Sequence, residues 1–202
     1  MQKRLSRTES HALTRAKLIE SATVLYLRDG YGATSNNQVA EAAGFSRGAV
    51  YSNFASKEDL ALAVLDQFLD AEIATISAAV GDGTVDERFA AFERWMLEAA
   101  RERRWAMLKS ELAVASRHSP ALRRELAERD ETVHRTVTAL LTALFAEAGL
   151  EAFPIAPPTL ARLLIAVAKG VAIDGVIEPD KSAEWLTELL ATLRAFAAML
   201  GG

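Results

Sequence analysis

Apolar residues recur along the chain at intervals of three and four, the spacing that places them on one face of an α-helix. The alternation of apolar and polar residues that is typical of a half-buried strand is almost absent from the sequence. Glycine, proline and capping residues interrupt the pattern repeatedly and divide it into about nine segments. The chain is therefore predicted to be all-α, with long helices near residues 14–29, 57–79, 84–103, 105–117, 119–149, 159–177 and 182–200.

Two further helices, both short, are predicted in the segment that follows Thr34. Ser35 and Gln38 have the spacing of a capping box, and Gly44 suits the left-handed conformation that ends a helix. Ser46 is expected to cap the second helix, whose apolar residues then face the first. Two short helices joined by a glycine-containing turn form a helix-turn-helix. Neither is long enough to be stable alone, so both are expected to pack on the first and fourth helices.

The outward face of the second short helix has the chemistry of a DNA-reading surface. Its side chains are small, hydrogen-bonding or cationic, and a helix of this size fits the major groove of duplex DNA. Arg47 can form a bidentate contact with guanine, while Tyr51, Asn53 and Lys57 are placed for phosphates. The predicted DNA contacts are Ser35, Asn36, Asn37, Arg47, Gly48, Ala49, Tyr51, Ser52, Asn53 and Lys57.

The distribution of charge separates the same region from the rest of the chain. Residues 1–57 carry eight Lys and Arg against four Asp and Glu, a net charge of +4. The remainder carries 15 basic and 23 acidic residues, a net charge of −8. A basic head on an acidic body is typical of a separate nucleic-acid-binding head. Ordinary solvated helix faces that happen to segregate by charge are the alternative interpretation.

The segment from Ala40 to Leu60 also resembles a known family. It reads A-x-x-A-G-F-S-R-G-x-x-Y-x-x-F-x-S-K-x-x-L without a gap, so capping, core and candidate phosphate positions all match at once. This pattern is similar to the DNA-binding domain of the TetR (tetracycline repressor) family of bacterial transcription regulators. The resemblance implies a three-helix DNA-binding domain over residues 1–57. It also implies a helical ligand-binding and dimerisation domain over residues 58–202, which dimerises through its last two helices.

Aromatic and thioether side chains are concentrated in the middle helices of the second predicted domain. A cavity among them would accept an apolar or aromatic ligand. The alternative is that each of these side chains simply belongs to the core. The candidate ligand-binding residues are Phe68, Phe89, Phe92, Trp95, Met96, Trp105, Met107 and Phe145.

The penultimate helix carries apolar residues nearly all round, which is more apolar surface than one intramolecular face requires. Together with the last helix it is predicted to form a two-fold four-helix dimer interface. A purely intramolecular core is the alternative. The predicted interface residues are Leu163, Leu164, Val167, Val171, Trp185, Leu189, Leu193 and Phe196.

Other chemistry finds little support in the sequence. The chain has no cysteine, so a disulfide, a thiol nucleophile and a thiolate metal site are excluded. His118 and His134 are too far apart for a helical metal pair, and neither a metal nor a cofactor is expected. The longest apolar stretch is too short to span a membrane, and a cytoplasmic location is expected.

The sequence as a whole predicts a ligand-responsive transcription regulator rather than an enzyme. We expect a homodimeric repressor that binds a palindromic DNA operator and is released by a small hydrophobic or aromatic effector. One alternative is a DNA-binding regulator that responds to a partner protein, which a fully packed second domain would favour. Another is an all-α ligand carrier or enzyme, although paired carboxylates, nucleophile sets and phosphate-binding loops are missing from the sequence.

Overall fold

The computed structural model describes residues 6–81, 83–150, 153–178 and 182–200. The described residues form nine α-helices, one 3₁₀ turn and no strand, which confirms the all-α prediction. The helices are α1 (Arg7–Asp29), α2 (Asn36–Ala42), α3 (Arg47–Asn53), α4 (Lys57–Gly81), α5 (Val85–Arg101), α6 (Arg103–Ala115), α7 (Pro120–Glu147), α8 (Pro157–Ile177) and α9 (Ser182–Leu200).

Capping boxes begin three of these helices. Ser35 and Thr84 accept the backbone N–H three residues on, and the Gln or Glu at that third position accepts the capping residue's own N–H. Both boxes were predicted. A third, between Ser6 and Glu9, begins α1 at Arg7, so the predicted start near residue 14 is wrong. Residues 1–5 lie outside the described residues.

The chain divides into two compact units. Unit 1 contains the described residues up to Phe68 together with Met107–Leu126. In it, α1, α2 and α3 pack on one another. Its core is formed by buried apolar side chains from α1 to α4 and from α6, among them Leu18, Leu25, Val39, Val50, Phe54, Leu60 and Leu112. The predicted division of function at residues 57 and 58 stays a prediction.

Unit 2 contains Leu69–Ala106 and the described residues from Ala127 onward. Helices α5, α8 and α9 pack against one another, and α7 contributes a row of buried residues to the same core. Met96, Leu144 and Leu186 are fully or almost fully buried there. None of the described helices is both long and apolar enough to cross a membrane.

The packing of unit 2 predicts a large effect of truncating Leu144, which has no exposed surface. Leu144→Ala should lower the free energy of unfolding by about 2–5 kcal/mol, because it removes buried methyl groups and leaves a cavity. Urea denaturation followed by circular dichroism measures this. Leu13→Ala is the matched control, since the Leu13 side chain on α1 is half exposed, and a change of less than about 0.5 kcal/mol is expected. Equal effects of the two substitutions would contradict the assignment of Leu144 to the core.

Candidate nucleic-acid interface and cavity

The turn between α2 and α3 is built by the backbone. The N–H of Phe45 donates to the carbonyl of Ala40 at 2.9 Å, and that of Gly44 donates to the carbonyl of Glu41 at 3.0 Å. This hydrogen-bond pattern ends a helix with a residue in the left-handed region, where Gly44 has a φ of 73°. Ser46 begins α3 in an extended conformation, but its side chain makes no capping bond, which corrects the expectation that its hydroxyl caps the helix.

The two short helices bury one face and expose the other. Val39, Val50 and Phe54 are buried between the helices of unit 1, as their spacing predicts. Most of the predicted DNA contacts lie on the outer face. Those exposed to solvent are Ser35, Asn37, Arg47, Gly48, Tyr51 and Ser52, and those partly buried are Ala49, Asn53 and Lys57.

Asn36 differs from the other predicted contacts because it is buried, with 9% of its surface exposed. Its Oδ1 atom has no hydrogen-bond partner. The Asn36 side chain also contributes, after Arg47, to the lowering of the pKa of Tyr51. Asn36 therefore belongs to the packed part of the start of α2, rather than standing free on the surface.

Arg47 and Tyr51 form a pair on the outer face of α3, one helical turn apart. The Nη2 atom of Arg47 lies 3.4 Å from the Tyr51 hydroxyl, and its guanidinium carbon lies 5.4 Å from the centre of the ring. The hydrogen bond and positive charge of Arg47 hold the pKa of Tyr51 below its usual value. Both side chains are exposed, so the helix presents a cation and a hydroxyl together to solvent.

Three predicted contacts are engaged with the backbone of unit 1. The hydroxyl of Ser52 and the amide of Asn53 both donate to the carbonyl of Ala49, at 3.0 and 2.8 Å. The ammonium of Lys57 donates to the backbone carbonyl of Tyr31 at 2.6 Å and lies 4.2 Å from the centre of the Tyr31 ring. Burial lowers the pKa of Lys57. A phosphate would have to compete with these bonds, and the role of the three residues in DNA binding stays a prediction.

Two residues that hold this region in place escaped the sequence analysis. Arg15 on α1 donates from Nη1 to the carbonyl of Asn53 at 2.6 Å, and its guanidinium carbon lies 4.1 Å from the centre of the Phe54 ring. Glu111 on α6 accepts the N–H of Gly32 at 2.8 Å. Arg15 lies one turn before the buried Leu18, and this spacing could have indicated that the Arg15 side chain faces the other helices of the unit. Nothing local in the sequence indicates Glu111, because 79 positions separate it from Gly32.

Unit 2 contains a mostly apolar cavity of about 400 Å³ between α5, α7, α8, α9 and the loop after α7. Of the predicted ligand-binding residues, Phe89, Phe92 and Phe145 line it. The described residues that line it are Val85, Asp86, Phe89, Phe92, Glu93, Leu141, Phe145, Ala148, Leu150, Phe153, Leu160, Leu164, Leu190, Leu193, Arg194 and Ala197.

The other five predicted residues do not line this cavity. The Trp95 indole donates to Glu72 at 3.2 Å, and Met96 is buried in the core of unit 2. Phe68 and Met107 belong to unit 1, where the Lys109 ammonium lies 5.0 Å from the centre of the Phe68 ring. Trp105 on α6 is also outside the lining. Aromatic content alone therefore located only part of the wall, because aliphatic residues of α8 and α9 supply much of the remainder.

The predicted interface residues on the last two helices differ in burial: some are exposed, some buried and some partly buried. Leu163 is 50% exposed and Trp185 is 55% exposed, and Phe196 is exposed too. Leu164 and Val171 are buried in the core of unit 2, and Leu164 and Leu193 line the cavity. Val167 and Leu189 are partly buried. The described parts of these helices also expose Ile173, Val176, Ile177 and Met199, which are not among the predicted interface residues.

The arrangement defines a unit with a helix-turn-helix DNA-binding module and a larger helical unit with a mostly apolar cavity. In the described part of the chain, no three His, Asp or Glu side chains are grouped so that they could hold a metal ion.

Comparison with known families agrees with this class. Residues 18–64 match the family model described as "Bacterial regulatory proteins, tetR family". Residues 85–201, more than half of the chain, match the model described as "BetI-type transcriptional repressor, C-terminal". The chain belongs to the TetR family of bacterial transcription regulators, which are DNA-binding proteins and not enzymes.

Solved structures show the same fold at low sequence identity. A TetR transcription regulator from Haloarcula marismortui is 18% identical with a TM-score of 0.75, covering 94% of this chain and 98% of that one. The fatty acid degradation regulator FadR from Bacillus halodurans is 16% identical with a TM-score of 0.71, covering 95% and 96%. NalD, the secondary repressor of the MexAB-OprM multidrug efflux pump in Pseudomonas aeruginosa, is 26% identical with a TM-score of 0.60, covering 91% and 96%.

The contact between Arg47 and Tyr51 predicts how the tyrosines ionise. Burial raises the pKa of Tyr26 and raises that of Tyr31 to about 12, whereas Arg47 lowers that of Tyr51. Tyr51 should therefore lose its proton at the lowest pH of the three. Arg47→Ala should raise the pKa of Tyr51 toward the ordinary value of about 10, as measured by tyrosinate absorbance.

Two variants complete this titration. Tyr51→Phe should remove the first transition and so assign it. Arg28→Ala is the matched control, because Arg28 is an exposed arginine that pairs with Asp29. An unchanged first transition in Arg47→Ala would show that the two side chains do not interact in solution.

Proposed function

We propose that this regulator is a homodimeric repressor that binds a two-fold symmetric DNA operator and leaves it when a small apolar molecule occupies unit 2. The single observation that carries the DNA-binding part is the exposed Arg47–Tyr51 pair on α3 of the helix-turn-helix. Arginine is the side chain that most often reads guanine in the major groove. The adjacent exposed Gly48 has no bulk to hinder a close approach.

A stripe of exposed residues on α8 supports the dimer. Leu163, Ala166, Gly170, Ile173 and Ile177 follow one another at intervals of three and four and all are exposed. A contiguous exposed apolar face of this kind is typical of a protein–protein interface. Trp185, Phe196 and Met199 add exposed apolar surface on α9. Two copies joined through these helices would present two helix-turn-helix modules to half-sites about 34 Å apart along the DNA.

The cavity in unit 2 supports control by a small molecule rather than by a partner protein. A fully packed unit 2 would favour the partner protein, but about 400 Å³ remains between α5, α7, α8 and α9. Four phenylalanine side chains are part of the wall, so the effector is expected to be apolar or aromatic. Helix α4 begins in unit 1 and continues into unit 2, which gives a covalent route between the two sites.

Release is proposed to be a shift between two populations of the dimer. The effector binds more tightly to a conformation in which the spacing of the two helix-turn-helix modules does not match the operator. The ratio of its affinities for this conformation and for the DNA-binding one sets the size of the shift. Electrostatics supply most of the affinity for DNA, since the first 57 residues carry the net positive charge. We accordingly propose a cytoplasmic location, where the protein would meet the DNA.

Selection of bound fragments from a random pool of duplexes tests the function directly. We expect enrichment of one sequence with two related half-sites, and a fall in affinity as the salt concentration rises. Repeating the selection with candidate effectors tests release. Absence of any enriched duplex at low ionic strength would refute the proposal.

Arg47→Ala should weaken binding to the selected operator by about 1–3 kcal/mol and relax the preference at one base position of each half-site. The physical reason is the loss of a bidentate contact to guanine. Binding measured across a panel of single-base operator variants reports both effects. Arg28→Ala, which changes an exposed arginine on α1, is the charge-matched control. Weaker binding with an unaltered base preference would reduce Arg47 to a phosphate contact.

Replacing Leu163 and Trp185 by Glu should produce monomers in sedimentation velocity and strongly reduce operator binding. Burying two carboxylates in an apolar interface is costly unless they find partners. Val114→Glu is the control, because Val114 is exposed on α6 in unit 1, outside the proposed interface. A double variant that still sediments as a dimer would place the interface elsewhere.

A further inference from the structure

The cavity in unit 2 has a charge pattern that goes beyond its apolar character. We propose that it binds an amphiphile with an aromatic or alkyl body and a single positive charge. This inference rests on the proposed function, since it names the chemical class of the effector. Among the residues that the structure describes, three ionisable ones line the cavity, namely Asp86 and Glu93 on α5 and Arg194 on α9.

The body of such a ligand fits the larger part of the wall. Phe89, Phe92, Phe145 and Phe153 contribute aromatic rings, and leucines of α7, α8 and α9 contribute aliphatic surface. The Phe145 and Phe153 rings meet edge to face with their centres 5.1 Å apart. Aromatic ring faces carry partial negative charge, so they attract a cation as well as an apolar group.

The ionisable residues of the wall leave an excess of negative charge. Nη1 of Arg194 lies 3.3 Å from Oε2 of Glu93, so the cavity's arginine is already matched with a carboxylate. Asp86 then adds a second carboxylate, and the three groups together carry a formal charge of −1. A cationic head neutralises this charge, whereas an anionic head would bring a third negative charge to the site.

Arg88, which is close to Asp86 in the sequence, does not neutralise the excess negative charge of the cavity wall. Arg88 follows Asp86 by two positions on α5, but it pairs with Glu147 and donates from Nε to the carbonyl of Val80 at 2.6 Å. Its side chain is mostly buried by these contacts, with 13% exposed, and it is not part of the cavity wall. Arg194 is therefore matched by Glu93 and Arg88 by Glu147, so neither arginine neutralises the carboxylate that Asp86 adds to the cavity wall.

Three probes of the same shape and different charge test the inference. Phenylbutylamine is cationic at neutral pH, phenylbutanol is neutral and phenylbutyrate is anionic, while each has a phenyl ring and a polar group at the ends of a short alkyl chain. Isothermal titration calorimetry with the full chain, without DNA, gives the three dissociation constants. We expect the amine to bind about fivefold or more tighter than the alcohol, and the carboxylate to bind most weakly.

Matched variants assign this preference to the wall. Asp86→Asn combined with Glu93→Gln should weaken binding of the amine about tenfold and change that of the alcohol by less than about twofold. Glu98→Gln is the control, because it removes an exposed carboxylate from the same helix outside the cavity. Ala197→Phe should block all three probes by filling the cavity, whereas Ala191→Phe, at an exposed position of α9, should not.

The outcomes separate this inference from the proposed function. Equal affinities for the three probes, tightest binding of the carboxylate, or no binding of any probe would each overturn the cationic class. Tight binding of the amine that does not release the operator would leave the ligand class standing and refute control by the effector. An operator released by other compounds, with no preference for the amine, would support the regulator and overturn the present inference.

Discussion

The structure of the DNA-binding unit depends on one constraint, which is that α2 and α3 are seven-residue helices that cannot be stable alone. Their stability comes from burial of Val39, Val50 and Phe54 against each other and α1. Arg47 and Tyr51 are exposed on the outer side of α3. The packing of α2 and α3 therefore also positions the exposed side chains of α3. A substitution that loosens this packing should disturb the DNA-binding surface as well.

Hydrogen bonds from residues that are distant in the sequence hold the backbone before α2 and at the end of α3. Arg15 satisfies the carbonyl of Asn53 at the end of α3, and Glu111 satisfies the N–H of Gly32 before α2. Each is a charged partner for a backbone group, which makes a stronger bond than a neutral partner would. Through Glu111, α6 takes part in holding the α1–α2 loop, so the unit that carries the reading helix includes residues far beyond the helix-turn-helix.

In unit 2 the two sides of the last helices serve different purposes. The side of α8 that carries Leu160 and Leu164 is buried and forms part of the cavity wall. The side that carries Leu163, Ile173 and Ile177 is exposed. An α-helix can separate these roles because its side chains point in different directions around the axis: Leu160 and Leu164, four apart, share one side, and Ile173 and Ile177, also four apart, share another. The surplus of apolar residues on α8 is thus accounted for by a core, a cavity and an exposed face together.

Local patterns in the sequence were sufficient for the all-α class, most helix limits, the capping boxes at Ser35 and Thr84 and the inner face of the helix-turn-helix, because each depends on residues a few positions apart. They also placed Arg47 and Tyr51 on the outside. They did not distinguish Leu163 from Leu164 as exposed and buried, or place Arg194 beside Glu93. Those outcomes depend on which helices meet, since burial and charge pairing join residues up to a hundred positions apart, and only the tertiary structure decides them.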